Sequence, residues 1–158
     1  MNYSQEYTQI KDNKLNEFLA SDKKGFVLEG KGGTGKTTII KKIVEQYPNK
    51  SAVLAIGPTH KAKRVLDDSL NSEKGSNIKT VTLASALAIK LDETNGKFSP
   101  DQWARDNNRV PIQKAQLIII DETSMVSDKL LAEIKEWKSP NAKVIFMGDK
   151  AQLPPVGQ

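Results

Sequence analysis

The segment GKGGTGKTT, residues 30–38, constrains the fold more than any other part of the sequence. It fits the pattern G-x-x-x-x-G-K-[ST], it follows the apolar run Phe26–Glu29, and it precedes apolar residues at helical spacing that stop at Pro48. Glycines let a loop wrap closely around phosphate oxygens, and the positive end of the following helix adds to the attraction. The segment therefore predicts a strand, a phosphate-binding loop and a helix in succession.

The rest of the sequence has the pattern of an α/β fold, in which a mostly parallel sheet is covered by helices on both faces. Leu117–Ile120 has no polar alternation, as expected for a strand that is buried on both sides. The predicted strands are Phe26–Glu29, Ala52–Ile56, Leu117–Ile120 and Val144–Met147. Helices are predicted after the glycine-rich loop, around Ala62–Leu70, over Leu83–Leu91 and from the N-cap Ser127 onward. The 158 residues are the size of one domain.

The stretch from residue 92 to about 112 departs from this alternation. It is mostly polar, and Phe98 and Trp103 are its only aromatic residues. It also contains Asn95-Gly96, which is a strong signal for a tight hairpin turn. The stretch predicts a small β-ribbon insertion, with a disordered surface loop as the alternative.

The composition excludes several kinds of site. The chain has no cysteine and a single histidine, which rules out disulfides, thiolate nucleophiles and zinc clusters but leaves a magnesium site open. The net charge of +5 favours a polyanionic partner, although it is modest for a nucleic-acid-binding protein. No stretch approaches the roughly 18 apolar residues of a membrane span. We therefore expect a cytoplasmic protein without a membrane partner.

Side chains that can bind ATP and Mg²⁺ occur at three places. In the glycine-rich segment, Lys36 is expected to contact the β- and γ-phosphates, and the Thr37 hydroxyl is expected to bind the metal. Asp121 and Glu122 follow a predicted strand, where Asp121 would hold Mg²⁺ and Glu122 would orient and deprotonate the attacking water. The nucleotide-binding set is Gly30, Gly32, Gly33, Thr34, Gly35, Lys36, Thr37 and Thr38.

The third place is the segment GDKAQLPPV, residues 148–156, which follows the last predicted strand. The Gln152 amide can donate to a γ-phosphate oxygen and accept from water, so it is a candidate γ-phosphate sensor. Lys36, Glu122 and Gln152 are therefore the predicted catalytic residues.

In this order, the segments GKGGTGKTT, PTHKAK, TLASAL, IIIDETSM and GDKAQLPPV resemble motifs I, Ia, Ib, II and III of the superfamily 1B helicases, the RecD-like group that includes the phage Dda-like enzymes. The resemblance implies the first RecA-like domain of a monomeric, ATP-driven motor. Such motors move 5′ to 3′ on single-stranded DNA and separate fork DNA. It also implies a bacterial or phage-infected bacterial cell as the setting.

The same resemblance implies a DNA-binding surface. Thr59 can bond a phosphate and Lys61 can neutralise one, although Thr59 would also serve as the N-cap of a helix. Phe98 falls where relatives carry a ribbon that separates duplex strands, and it is a candidate aromatic pin. The implied DNA-contacting residues are Pro58, Thr59, His60, Lys61, Thr82, Ser85 and Phe98.

The resemblance further implies a second RecA-like domain, which is absent from these 158 residues and would supply an arginine to the ATP site. Because such an arginine is worth about 10³ to 10⁵ in rate, this domain alone is expected to bind MgATP and to hydrolyse it slowly. Two alternatives use the same loop: a P-loop kinase, and a binding module that keeps ATP as a structural ligand. Glu122 beside Asp121, together with Gln152, favours hydrolysis over transfer to an acceptor.

Overall fold

The computed structural model describes residues 14–29, 36–72 and 77–148. The strands are β1 (Gly25–Glu29), β2 (Val53–Gly57), β3 (Lys79–Thr82), β4 (Ile89–Asp92), β5 (Lys97–Pro100), β6 (Leu117–Ile120) and β7 (Lys143–Gly148). The helices are α1 (14–20), α2 (Lys36–Gln46), α3 (His60–Leu70), α4 (Leu83–Ala86), α5 (Gln102–Asp106), α6 (Pro111–Lys114) and α7 (Asp128–Trp137). Short 3₁₀ turns cover Lys50–Ala52 and Thr123–Met125.

Five strands form one parallel sheet in the order β1-β7-β6-β2-β3. The four predicted strands are all present, which confirms the predicted parallel α/β sheet. The edge strand β3 was not predicted, because its sequence KTVT is short and none of its side chains is fully buried. Strands β4 and β5 form a separate antiparallel pair.

Helices cover both faces of the sheet, so there are two apolar cores. Alternate residues of β6 point into different cores: Leu117 and Ile119 pack with α1, α2 and α3, whereas Ile118 and Ile120 pack with the helices from α4 to α7. All four of these side chains are fully buried. This two-sided burial explains the continuous apolar run of β6.

The longer helices α3 and α7 begin with side-chain caps. Thr59 Oγ1 accepts the Ala62 N–H at 3.1 Å, and Ser127 Oγ accepts the Leu130 N–H at 3.3 Å. Both predicted N-caps are therefore confirmed. Neither helix is long and apolar enough to cross a membrane, and the same holds for every other helix in the described ranges.

Lys143, at the start of β7, holds the carboxyl end of α1. Its Nζ atom donates to the carbonyl oxygens of Phe18, Ser21 and Lys23 at 3.0, 2.6 and 2.8 Å, and it lies 4.7 Å from the Phe18 ring centroid. Burial lowers the pKa of the Lys143 ammonium, and the nearby charge of Lys24 lowers it further. One side chain thus satisfies three carbonyls near the end of the helix.

The segment after β3 differs from the sequence-based expectation. The predicted helix over Leu83–Leu91 ends at Ala86, because Ala88 adopts a left-handed conformation with φ of 54° and turns the chain into β4. The Ala88 carbonyl then accepts the Asp101 N–H at 2.8 Å, which closes the base of the β4–β5 pair.

The predicted ribbon is confirmed, but it covers residues 89–100 rather than 92–112. Its turn contains Asn95 and Gly96, as predicted, and Gly96 has a positive φ of 68°. The Asn95 Oδ1 atom accepts the Lys97 N–H at 2.9 Å. The remainder of the predicted stretch forms α5 and the start of α6.

Candidate nucleotide and nucleic-acid site

The carboxyl edge of the sheet sorts the sequence motifs into two groups. The glycine-rich segment follows β1, GDKAQLPPV begins at the end of β7, and the acidic pair follows β6, and these three strands are adjacent. The PTHK segment follows β2 and the TLAS segment begins at the end of β3, and these two strands are adjacent on the other side. The two groups are interleaved in the sequence. The fold therefore separates the phosphate-type motifs, which are the segments after β1, β6 and β7, from the candidate DNA segments after β2 and β3 along one edge.

Part of the predicted nucleotide site lies outside the described residues, namely Gly30, Gly32, Gly33, Thr34, Gly35 and Gln152. The strand ends that lead into it are described: Glu29, the last residue of β1, pairs in register with Gly148, the last residue of β7. Lys36 and Thr37 are the first two residues of α2, and Thr38 is exposed in its first turn. A helix therefore begins where the phosphate-binding pattern requires one.

The acidic pair has an unusual backbone. The Asp121 N–H donates to the Ile56 carbonyl at 2.9 Å, and the Asp121 carboxylate accepts the Glu122 N–H at 2.9 Å. Glu122 is exposed and has φ of 48° and ψ of 51°, a left-handed conformation that is uncommon for a residue other than glycine. Such strain costs on the order of 1 kcal/mol and is concentrated at functional sites. The strain coincides with the residue predicted to act as the base.

Thr123 is a residue of this site that sequence reasoning did not select. It is 1 % exposed, and its Oγ1 lies 3.1 Å from the Met147 carbonyl oxygen and 3.4 Å from the Ile120 carbonyl oxygen. It thus holds the acidic loop between the ends of β6 and β7. A small hydroxyl directly after the acidic pair, three residues before the buried Val126, was the available signal.

The acidic pair fits a magnesium site of the kind found in phosphate-binding enzymes. Magnesium is usually held by one or two carboxylates together with water and substrate phosphates, rather than by an all-protein cage. Within the described residues there is no group of three or more metal-binding side chains. Asp121 follows β6 at the carboxyl edge of the sheet, and only β7 lies between β6 and β1, the strand that precedes the glycine-rich segment. Asp121 and the Thr37 hydroxyl are the residues that would hold the ion.

The candidate DNA segment lies at the start of α3. Thr59, His60 and Lys61 are exposed, and Pro58 is partly buried. The Thr59 Oγ1 accepts a backbone N–H as the helix cap, and the proton of the hydroxyl is not used in that bond. Capping and donation to a phosphate are therefore compatible.

The second candidate DNA segment begins α4. Thr82 Oγ1 accepts the Ser85 N–H at 3.2 Å and lies 3.1 Å from Ser85 Oγ, so the two hydroxyls are next to each other. Phe98 is not at the sheet edge: it lies on β5 of the ribbon and is 73 % exposed. Trp103 on α5 is 63 % exposed, and the guanidinium carbon of Arg109 lies 5.7 Å from its ring centroid.

A parallel sheet in this order, with a phosphate-type segment after β1 and an acidic pair after a central strand, defines a RecA-like P-loop ATPase domain. A model of the AAA domain family matches residues 8–158. The chain belongs to that family.

Similar proteins place it more narrowly. The chain is 30% identical to the ATP-dependent DNA helicase dda of Enterobacteria phage T4, over 82% of this chain and 28% of that protein. It is 27% identical to RecBCD enzyme subunit RecD of Haemophilus influenzae, over 80% of this chain and 21% of that protein. Pif1 helicase from Bacteroides has a similar structure, with a TM-score of 0.61 and 27% identity, over 94% of this chain and 33% of that protein.

The chain therefore spans a third or less of the length of these proteins. Its similarity to them identifies it as a first RecA-like domain of the superfamily 1B helicase type, as the sequence motifs indicated.

Proposed function

We propose that this chain is the ATP-binding motor domain of an ATP-dependent DNA helicase that moves 5′ to 3′ on single-stranded DNA. The observation that supports the proposal is the order of the strands. The three strands that carry the candidate nucleotide segments are adjacent, and the two strands that carry the candidate DNA segments lie beside them. The RecD, dda and Pif1 similarities support the same conclusion.

In the proposed reaction, Lys36 contacts the β- and γ-phosphates of ATP, and Thr37 and Asp121 hold Mg²⁺, which neutralises phosphate charge when bound. Glu122 accepts a proton from the water that attacks the γ-phosphorus, and the bond between that phosphorus and the β–γ bridging oxygen breaks to release ADP and inorganic phosphate. Gln152 hydrogen-bonds the γ-phosphate and so distinguishes ATP from ADP. The left-handed backbone of Glu122 and its N–H bond to Asp121 support distinct roles for the two adjacent carboxylates.

On the DNA side, the exposed Thr59, His60 and Lys61 would contact the sugar-phosphate backbone of the single strand, as would the Thr82 and Ser85 hydroxyls. The ribbon would meet the fork, with Phe98 stacking on the base pair that opens. A second RecA-like domain would complete the ATP site, and the whole protein would act as a monomer in the cytoplasm of a bacterial or phage-infected cell.

The test is the ATPase activity of the natural full-length protein with and without single-stranded DNA. We expect DNA to stimulate hydrolysis, and Glu122→Gln to lower the stimulated rate at least about 100-fold, because general-base catalysis contributes about 10² to 10⁴. Binding of a fluorescent ATP analogue should be unchanged in that variant. Glu136→Gln is the matched control, since Glu136 is an exposed glutamate on α7.

Glu122→Gln with hydrolysis close to that of the unaltered protein would contradict the proposed base. Absence of DNA stimulation would contradict the helicase assignment, and phosphate transfer to a small acceptor would favour the kinase. Fork substrates with either a 5′ or a 3′ tail then test the direction of movement.

For the isolated domain we expect MgATP binding with slow turnover. We also expect it to retain single-stranded DNA in a filter-binding assay, with or without an ATP analogue.

A further inference from the structure

Arg105 is a buried arginine that the proposed reaction does not use. It lies on α5, directly after the ribbon, and is 5 % exposed. Its Nη2 atom donates to the Leu87 carbonyl at 3.2 Å and lies 3.7 Å from the Glu133 carboxylate, and its guanidinium carbon is 4.8 Å from the Trp137 ring centroid. One side chain therefore contacts three residues in two other parts of the domain.

These contacts join the base of the ribbon to α7. Leu87 immediately precedes the Ala88 turn that leads into β4, and Arg105 itself follows β5. Glu133 and Trp137 lie in the second half of α7. Arg105 thus contacts the chain before the ribbon, belongs to the chain after it, and contacts a helix of the main domain.

The other end of α7 is connected to the acidic loop. A single 3₁₀ turn separates Glu122 from the helix cap Ser127, and within it the buried Thr123 is bonded to the ends of β6 and β7. Ile134 fixes the middle of α7 in the core beneath the sheet. The helix is therefore one rigid element with the proposed catalytic loop at its start and the Arg105 contact near its end.

Arg105 is a poor choice for stability alone. Its Nε atom is buried without a hydrogen-bond partner among the described residues, and the 3.7 Å contact with Glu133 is long for a charge-assisted bond. A buried charge with incomplete partners is weak evidence of stabilisation, because an apolar side chain of similar size often serves at least as well. The arginine instead provides a directional, three-way contact that an apolar residue lacks.

We propose that Arg105 is a positioning residue that fixes the β4–β5 ribbon to α7, so that the ribbon keeps its orientation while the motor moves on DNA. This inference rests on the proposed helicase function. Because Arg105 is buried, it acts through Phe98 and the rest of the ribbon rather than through contact with nucleotide or DNA.

The experiment compares Arg105→Met, Phe98→Ala and the double variant in the natural full-length protein. DNA-stimulated ATPase and fork unwinding are measured side by side. For Arg105→Met we expect ATPase within about twofold of the unaltered protein, unwinding per ATP lowered about tenfold, and a thermal midpoint that is not lowered. The double variant should unwind no more slowly than the slower single variant, because both changes act through the same ribbon.

Two further variants sharpen the test. Arg109→Met makes the same chemical change at an arginine whose guanidinium group lies over the exposed Trp103 ring, and unwinding should stay within about twofold. Arg105→Lys keeps the charge but lacks the planar group that can bond Leu87 and stack on Trp137 together, so it should also lower unwinding. It replaces Arg105→Met in the comparison should the methionine variant not fold.

Unchanged unwinding in Arg105→Met and Arg105→Lys, with ATPase intact, would refute the inference and leave the proposed function standing. Parallel losses of ATPase, unwinding and thermal stability would show a merely structural arginine and would also refute it. Additive losses in the double variant would show that Arg105 does not act through the ribbon. A full-length protein without DNA-stimulated ATPase would instead overturn the proposed function.

Discussion

Replacing Phe98 with alanine should leave the domain folded. Phe98 is 73 % exposed, so only about a quarter of a side chain that typically buries ~150–250 Å² lies against the protein. At ~25 cal/mol per Å², that contact is worth roughly 1 to 2 kcal/mol at most. The ribbon is also closed at its base by the Asp101 N–H bond to Ala88, which the substitution does not touch. Urea unfolding should therefore show a small change in the free energy of unfolding.

The same substitution should lower the rate at which the natural full-length protein unwinds fork DNA. Stacking of a base on an aromatic side chain is worth about 1 to 3 kcal/mol, which corresponds to roughly a 5- to 150-fold change in an equilibrium or rate. A stopped-flow assay on a 5′-tailed fork measures unwinding, and phosphate release on single-stranded DNA measures the motor. We expect unwinding to fall within that range while phosphate release stays within about twofold.

The matched control is Trp103→Ala, which removes the other strongly exposed aromatic side chain of this region. Trp103 is 63 % exposed but lies on α5 rather than on the ribbon, so its loss should change unwinding less than about twofold. Unwinding by Phe98→Ala at the unaltered rate would refute the pin assignment. A loss of phosphate release that matched the loss of unwinding would refute it as well, because the motor itself would then be impaired.

Two predictions concern stability. Lys143→Met should lower the free energy of unfolding, measured in urea, by about 1 to 3 kcal/mol, because it removes three charge-assisted hydrogen bonds whose gain is partly offset by burial of the ammonium. The control Lys138→Met breaks only two local hydrogen bonds and should lower the free energy of unfolding less. Equal losses in the two variants would contradict the anchoring role of Lys143. The hydrogen bond from the Ala104 N–H, and after it the Lys90 side chain, lowers the pKa of Asp101 in the folded protein. The ionised Asp101 carboxylate therefore stabilises the fold above its unfolded-state pKa of about 3.9, and this stabilisation is lost as the pH falls through its folded-state pKa. Asp101→Asn should therefore lose less stability than the unaltered protein between about pH 5 and pH 3, and identical acid unfolding curves would contradict this.

Features that depend on short stretches of sequence could be predicted. The apolar run of β6 predicts a buried strand, and the polar pair after it predicts a candidate site at its carboxyl end, because the carboxyl ends of parallel strands meet at one edge. The Ser127 cap and the Asn95-Gly96 turn were predictable for the same reason, since each is a property of a few adjacent residues.

Features that depend on distant contacts could not be predicted. The Leu83–Leu91 helix prediction was wrong because the Ala88 turn is fixed by the bond between its carbonyl and Asp101, which lies beyond the ribbon. The burial of Arg105 requires α7, and the role of Lys143 requires α1. Strand order also has no local signal, although it is what separates the two groups of motifs.

The two groups of motifs meet at the β6–β2 boundary, where their connection is rigid. Ile56, which lies two residues before Pro58, pairs with Ile120 in register. Its carbonyl accepts the Asp121 N–H at 2.9 Å. Ile56 and Ile120 are fully buried, and close-packed interiors change between discrete arrangements rather than deforming continuously. Within this domain the acidic pair and the candidate DNA segment at Pro58 are thus held at a fixed separation. ATP can then change the spacing of DNA contacts only by moving this domain against another, so the proposed motor requires a second RecA-like domain. For the same reason, we expect the ATP analogue to have no effect on the binding of single-stranded DNA by the isolated domain in the filter assay.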